Sequence, residues 1–354
     1  MNLSKRDFLG LGAAAGASLV LPAWAQGKPM FDTINMFVPA APGGGWDGTA
    51  RAIERSAKAA GLVGNMAFEN VGGAGGMVGL PRFVNQRKGQ ANSLMVGGSV
   101  MIGAGIANKS PITIKNVTPI ARLTEEAGVI VVPANGKIKT WKEFEAAIKA
   151  NPKAVSVAGG SAGGTDHLIL GMVIKALGKS PRDAAYVAFA GGGPANAAIL
   201  GNQVVAGISG YSEFEEQIKA GKMIPLAVSG KSRIPGVNVP TLTELGVNVT
   251  ESNWRGVFAA PGISDKQREA LIDFVTKVTQ SDAWKKELET RKWTNAFMTE
   301  RPFERDLAKD IADKEVLMKE LGLACPRCTL PSHWLCCAAS GPGRSPSSPS
   351  RSCR

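Results

Sequence analysis

Short apolar runs alternate along the chain with longer stretches whose apolar positions recur every three or four residues, the pattern of strands interleaved with helices. Strands are expected at Ile34–Val38, Leu94–Val96, Ile130–Val132, Val155–Ala158, Val187–Phe189, Val204–Ala206 and Leu226–Val228. Helices are expected over Gly48–Ala60, where Ala52, Ile53 and Ala57 share a face, and over Asp265–Gln280 and Ser281–Arg291. A further helix over Thr140–Ala150 opens with a threonine followed three positions on by Glu143, a capping-box spacing. Such alternation predicts an α/β protein with mainly parallel sheets and ligands at the carboxyl ends of strands.

Three glycine-rich segments fall at those ends: Ala40-Ala41-Pro42-Gly43-Gly44-Gly45-Trp46-Asp47, Gly159-Gly160-Ser161-Ala162-Gly163-Gly164-Thr165-Asp166 and Ala190-Gly191-Gly192-Gly193-Pro194. Each lies between a strand-like and a helix-like stretch. Glycine lets the backbone approach a ligand, and the first turn of the following helix offers unpaired N–H groups and a partial positive charge. Several such loops facing one cleft would hold a small organic anion without a catalytic group.

The ends of the chain differ in kind from its middle. Lys5-Arg6, the apolar stretch Leu9–Leu21 and Ala23-Trp24-Ala25 read as an export peptide over residues 1–25, cleaved near Ala25. Ser4-Lys5-Arg6-Asp7-Phe8-Leu9 approaches the twin-arginine pattern but has lysine at its first arginine position, which leaves both export routes open. All five cysteines lie after Ala324, in a segment of residues 325–354 with no acid, four arginines and a Ser/Pro-rich end. That segment reads as a shifted reading frame or a disordered extension, and an in-frame stop just after Ala324 in the native gene would establish the former. Of the formal net charge of +12, residues 1–25 carry +1 and residues 325–354 carry +4, leaving +7 on the middle of the chain. This excess would steer anions toward a cleft. The basic residues do not cluster with aromatics, which argues against nucleic acid as a partner.

Other chemistry fits less well. Gly159-x-Ser161-x-Gly163 matches a nucleophile elbow, but the one histidine before the tail is His167, six residues after Ser161, whereas a hydrolase draws its histidine from far downstream. Gly230-Lys231-Ser232 resembles the end of a P-loop, yet Pro225 stands where that motif needs glycine. Cys325-x2-Cys328-x4-His333 begins like a zinc knuckle, but Cys336 and Cys337 follow His333 too closely. No metal and no cofactor is expected.

The loops, in their order and with their flanks, resemble the periplasmic receptors of tripartite tricarboxylate transporters, the Bug-type solute-binding proteins. The resemblance spans Phe31–Ala324. It is carried by Val38-Pro-Ala-Ala-Pro-Gly-Gly-Gly-Trp-Asp47, Glu69-Asn-Val-Gly-Gly-Ala-Gly-Gly76, Val117-Thr-Pro-Ile-Ala-Arg122 and Gly159-Gly-Ser-Ala-Gly-Gly-Thr-Asp-His167. Further on come Gly191-Gly-Gly-Pro194, Gly201-Asn-Gln-Val204, Ser209-Gly-Tyr211 and Asn253-Trp-Arg-Gly-Val-Phe-Ala-Ala-Pro261. It implies a two-lobed periplasmic-binding-protein fold with a ligand cleft between the lobes and a hinge. The first lobe would comprise residues 26–127 and a return segment, 240–324, and the second residues 128–239. The implied activity is capture of a small organic carboxylate, a di- or tricarboxylate of the citrate kind, by a monomer. Delivery would be to a membrane permease of large and small subunits.

Carried onto the matching positions, the resemblance implies ligand contacts from Ala41, Gly43, Gly44, Asp47, Ser161, Gly163, Gly164, Thr165, Gly191 and Gly192. Asp47 has a second expected role, ordering its loop. Arg255 would either pair with a ligand carboxylate or bridge the lobes. Many such receptors carry an acid after the Gly-Gln-Val of the third region, where this chain has Gly201-Asn202-Gln203-Val204-Val205. Its loss would suit a polyanion better than an amino-bearing ligand. The alternatives are a periplasmic carboxylate sensor and a hydrolase using Ser161.

Overall fold

The computed structural model describes residues 28–189 and 191–324. The export peptide, the zinc-knuckle and tail segment and Ala190 of the third loop lie outside the described residues.

The polypeptide builds two hydrophobic cores around one long strand. In the first, β1 (Phe31–Val38), β2 (Val63–Asn70) and β3 (Ser93–Gly98) carry α1 (Gly45–Ala59), α2 (Gly79–Gln86) and α3 (Ser99–Ala107). β4 (Thr118–Pro133) then runs into the second part, where α4 (Trp141–Ala150), β5 (Ser156–Gly159), α5 (Thr165–Ala176), β6 (Ala185–Ala188), α6 (Gly192–Leu200), β7 (Ala206–Gly210), α7 (Tyr211–Lys219) and β8 (Met223–Val228) follow. The chain returns through β9 (Ser252–Ala259) and closes the first part with α8 (Asp265–Gln280), α9 (Asp282–Arg291), β10 (Thr294–Thr299) and α10 (Glu300–Glu320).

The strand order is β2-β1-β3-β9-β4-β7-β5-β6, with β8 and β10 also paired to β4. β4 belongs to both parts: Thr118–Ala127 pairs with β9, and Gly128–Pro133 pairs with β7 and β8. In its second half Ile130 and Val132 enter one core cluster and Val129 and Val131 the other. Side chains alternate across a strand, so burial on both faces makes this stretch read as a continuous apolar run. The first core gathers Ile34, Leu94, Val96, Ile120, Phe258, Phe274 and Phe303. The second lies on both faces of its sheet, with Leu242 and Val247 in one cluster and Phe214, Met223 and Val239 in the other.

The sheet is mixed rather than mainly parallel, which corrects the reading from strand and helix alternation. β1 with β2 and β3, and β5 with β6 and β7, are parallel. β9 runs antiparallel to both β3 and β4, and β7, β8 and β10 run antiparallel to β4. The cause is the passage of the chain out along β4 and back along β9, a non-local event with no trace in local periodicity.

Local signals correspond more closely to the folded chain. The side chain of Thr140 accepts from the Glu143 N–H, and Glu143 accepts from the Thr140 N–H, closing the capping box at the start of α4. α8 has the expected bounds and α9 starts one residue later than expected. α1 begins at Gly45 rather than Gly48, and β7 starts at Ala206, so that Val204 and Val205 precede the strand.

Candidate ligand-binding site

β1, β5 and β6 end at Val38, Gly159 and Ala188, and each leads through a glycine-rich loop into the N-terminus of a helix, α1, α5 or α6. The loops line one cavity of about 370 Å³, together with residues of α3, α7 and β9. Of the expected contacts, Ala41, Gly44, Ser161, Gly164, Thr165, Gly191, Gly192 and Arg255 line it. Gly43, Asp47 and Gly163 do not, although each belongs to a loop that does.

Two of the loops are built alike. Gly43 and Gly163 have φ of +82° and +77°, a conformation open to glycine at little steric cost. Gly44 and Gly164 are extended and cap α1 and α5. Three residues into each helix a side chain reaches back: Asp47 Oδ2 accepts the Gly43 N–H at 3.0 Å, and His167 Nδ1 accepts the Gly163 N–H at 3.1 Å. Asp47 Oδ1 also accepts from Asn70 Nδ2 at 3.0 Å, so this buried carboxylate ties its loop to the end of β2. The return bonds leave the first-turn N–H groups of both helices, Gly45 and Trp46 in one and Thr165 and Asp166 in the other, at the cavity wall.

A further loop lines the cavity between these two. Gly73, Ala74, Gly75 and Gly76 all have positive φ, from +46° to +131°. A Cβ on Gly75 would collide with the Cβ of Ala104, and one on Gly76 would stand 2.9 Å from the Trp46 ring. The conformation and the packing both demand glycine there. The segment Val71-Gly-Gly-Ala-Gly-Gly76 is visible as a motif but gives no expected site residue; its last three residues form a 3₁₀ turn ahead of α2.

The floor of the cavity holds its charged groups. Arg255, from β9, is 1% exposed; its Nη2 lies 2.7 Å from Glu126 Oε2 and 3.9 Å from Glu213 Oε1. Its Nε and Nη1 find no protein partner among the described residues. Glu126, on β4, is further held by the Ser212 N–H and hydroxyl at 2.8 and 2.6 Å. Arg255 therefore joins the return strand to β4 and α7, the bridging role, while still lining the cavity. Glu213, from the first turn of α7, lines the same wall. Burial pushes its carboxyl above the usual range; Arg255 opposes that rise, Glu126 adds to it, and the nearby Ser209 hydroxyl and Gly192 N–H oppose it weakly.

Asp166 also lines the cavity, its Oδ2 accepting the Gly160 N–H at 2.9 Å. Burial, reinforced by Glu213 and Glu126 and opposed by the Gly160 bond and Arg255, lifts its pKa to about 7. His167 is lowered to about 4 by burial and stacks on Tyr186 at 4.2 Å. Its Nδ1 is engaged by Gly163, and Ser161 lines the cavity without a base beside it in the geometry of a triad. Gly201–Val205 lies outside the cavity lining, so the acid missing there leaves the cleft's charge unchanged; Asp166 and Glu213, which do line it, are not among the expected contacts. Asp166 closes the second glycine-rich segment and Glu213 follows Ser209-Gly-Tyr211 by two residues, but neither motif singles out its carboxylate, and Glu213 enters through a fold contact between α7 and α6. Among the described residues no group of three or more His, Cys, Asp or Glu could hold a metal ion, and no helix is long and apolar enough to cross a membrane.

The two cores around a shared pair of strands, with backbone-rich loops meeting at a cleft, define a solute-binding protein of the periplasmic kind. The family model described as the tripartite tricarboxylate transporter family receptor matches residues 50–323, and the chain belongs to that family. It is 27% identical to Protein BugT of Bordetella pertussis over 276 residues, covering 76% of this chain and 82% of the relative. The structure of the periplasmic binding protein BugD superposes with a TM-score of 0.72 at 21% identity, over 84% of this chain and 99% of BugD. MatC of Rhodopseudomonas palustris, solved with bound malate, gives 0.70 at 24% identity, over 80% of this chain and 98% of MatC. The family is one of transporter receptors, and the protein is a receptor rather than a hydrolase using Ser161.

Proposed function

We propose that the protein is a periplasmic receptor that captures a small organic carboxylate, a di- or tricarboxylate of the citrate kind, and delivers it to a membrane permease of one large and one small subunit. The observation that carries this reading is the convergence of three helix N-termini and the partly unpartnered Arg255 on one cavity of about 370 Å³. Backbone N–H groups at helix starts suit carboxylate oxygens, and each charge-assisted hydrogen bond contributes about 1.5–3 kcal/mol. The malate bound to MatC and the adipate bound to R. palustris Rpa4515, a neighbour with a TM-score of 0.72 at 19% identity, are acids of the size such a cavity accepts.

Thermal unfolding of the purified chain against citrate, malate, succinate, adipate, glutamate and neutral analogues tests the proposal. A ligand at 100 times its dissociation constant stabilises the fold by about 2.7 kcal/mol. A selective rise in Tm with one acid is expected; equal responses to acids and neutral analogues, or none to any acid, would overturn the carboxylate reading.

A further inference from the structure

Glu213 stands where an anionic ligand would otherwise be expected. A Cβ on Gly192 would collide with Glu213 Oε2, and a Cβ on Gly45 would lie 2.9 Å from Glu213 Oε1. One carboxylate thus fills the gap between the starts of α1 and α6, packed close against the Gly192 backbone. Its side chain stays 20% exposed and lines the cavity. The neighbouring wall holds the unpartnered Arg255 Nε and Nη1 and the unpartnered Asn253 Oδ1. This end of the cleft therefore offers acceptors, Glu213 and Asn253, beside one guanidinium already engaged by Glu126. The rest of the lining, formed by Gly73–Gly76 and the start of α5, offers backbone N–H groups beside Asp166.

We propose that Glu213 is a specificity-determining residue that makes the cleft prefer carboxylates carrying a hydroxyl beside a carboxylate, the hydroxyl donating to Glu213 and the adjacent carboxylate meeting Arg255. This rests on the receptor reading above and narrows its ligand class. A hydroxyl satisfies the carboxylate of Glu213, whereas a methylene in its place strips water from that group and returns no hydrogen bond. A second carboxylate pressed against Glu213 would meet like charge. The combination selects 2-hydroxy di- and tricarboxylates over the same acids without the hydroxyl.

Calorimetric titration of the full chain with two matched pairs, malate against succinate and citrate against propane-1,2,3-tricarboxylate, tests this. In the wild type the hydroxy acid of at least one pair is expected to bind about tenfold more tightly than its partner. Glu213→Gln keeps the shape and an acceptor oxygen but removes the charge; it should bring the pair within about threefold, chiefly by tightening the acid that lacks the hydroxyl. Binding of both members of each pair with equal affinity in the wild type would overturn the role of Glu213 and leave the receptor reading intact. So would a preference unchanged in a Glu213→Gln protein of normal Tm. Failure of the wild type to bind any of the four acids would overturn the role of Glu213, and the receptor reading with it where no acid of the wider panel raises Tm. The wild-type comparison stands on its own if the variant does not fold.

Discussion

Asp166 couples the cleft to pH at the scale of a single carboxyl group. Its pKa of about 7, against 3.8 for an ordinary aspartate, means the native protein holds a proton there that the unfolded chain has lost over most of that window. Native stability therefore falls as pH rises from about 4 to about 7, with the full cost present above it. His167 acts with the opposite sign: its native value of about 4 lies below 6.5, so the unfolded chain binds more protons between them and stability falls as pH drops through that window. For binding, the charge on Asp166 is what counts. An anionic ligand should lose affinity as pH is raised from 6 to 8, by roughly threefold to tenfold for one added like charge at the cleft wall. Asp166→Asn should flatten that dependence, because the amide still accepts the Gly160 N–H while never ionising. Dissociation constants measured at the two pH values in both proteins decide it, and a wild-type constant unchanged across the range would remove Asp166 from the binding energetics.

At the scale of elements, the loop and its helix separate stability from binding residue by residue. Gly43 has φ of +82°, a Cβ placed on it would meet no atom within 4 Å, and it does not line the cavity. Gly43→Ala should cost about 1 kcal/mol of stability from the left-handed backbone alone while leaving ligand affinity within about twofold. Gly44 is the converse case, extended at φ −79° and ψ 173°, with only the Ala41 carbonyl near a Cβ at 3.6 Å, and it lines the cavity. Gly44→Ser supplies a preferred helix cap and should keep or raise Tm, yet its side chain enters the space the ligand needs and should weaken binding by about tenfold or more. Tm and calorimetric affinity on the two variants check the pair; a Gly43→Ala protein that folds normally but fails to bind would reverse the assignment. The same distinction explains what can be read from the residues alone. A Gly-Gly pair ahead of an amphipathic stretch announces a helix start because the information is local, as does Thr140 with Glu143. Arg255 can be singled out for its chemistry, but not its partners, which stand on β4 and α7, far away in the chain. The Gly73–Gly76 turn is not legible in this way because positive φ at four successive residues depends on the crowding of Trp46 and Ala104, which only the folded molecule brings there.

At the scale of the whole molecule, α3 acts as the spacer that sets how close the two halves of the cleft come. It springs from β3 in the first core, yet its Ser99 Oγ lies 3.2 Å from Thr165 Oγ1 at the start of α5, in a buried contact. Its Gly103 lies so close to the Gly163 carbonyl that a Cβ there would collide with it, and Ala104 abuts the Gly73–Gly76 turn. The end of α10 and the residue after it pack against α5: Met318 and Leu321 meet Leu168 in a small apolar cluster. The obstacle at Gly103 is backbone, which cannot rotate out of the way, so Gly103→Ala must displace the Ser161–Thr165 loop from α3. Overpacking of this kind costs about 1–3 kcal/mol. Here it should also weaken ligand binding by about tenfold, although Gly103 does not line the cavity, because the N–H groups of two loops must meet the same ligand at fixed separation. Gly105→Ala is the matched control on the same helix: its Cβ would make only ordinary contacts at 3.6 and 3.7 Å with Met77 and Thr113. That variant should retain both Tm and affinity. Were Gly103→Ala to lose stability while binding as tightly as the wild type, the loops would owe their spacing to the ligand rather than to α3, and the cleft would be assembled on binding instead of before it.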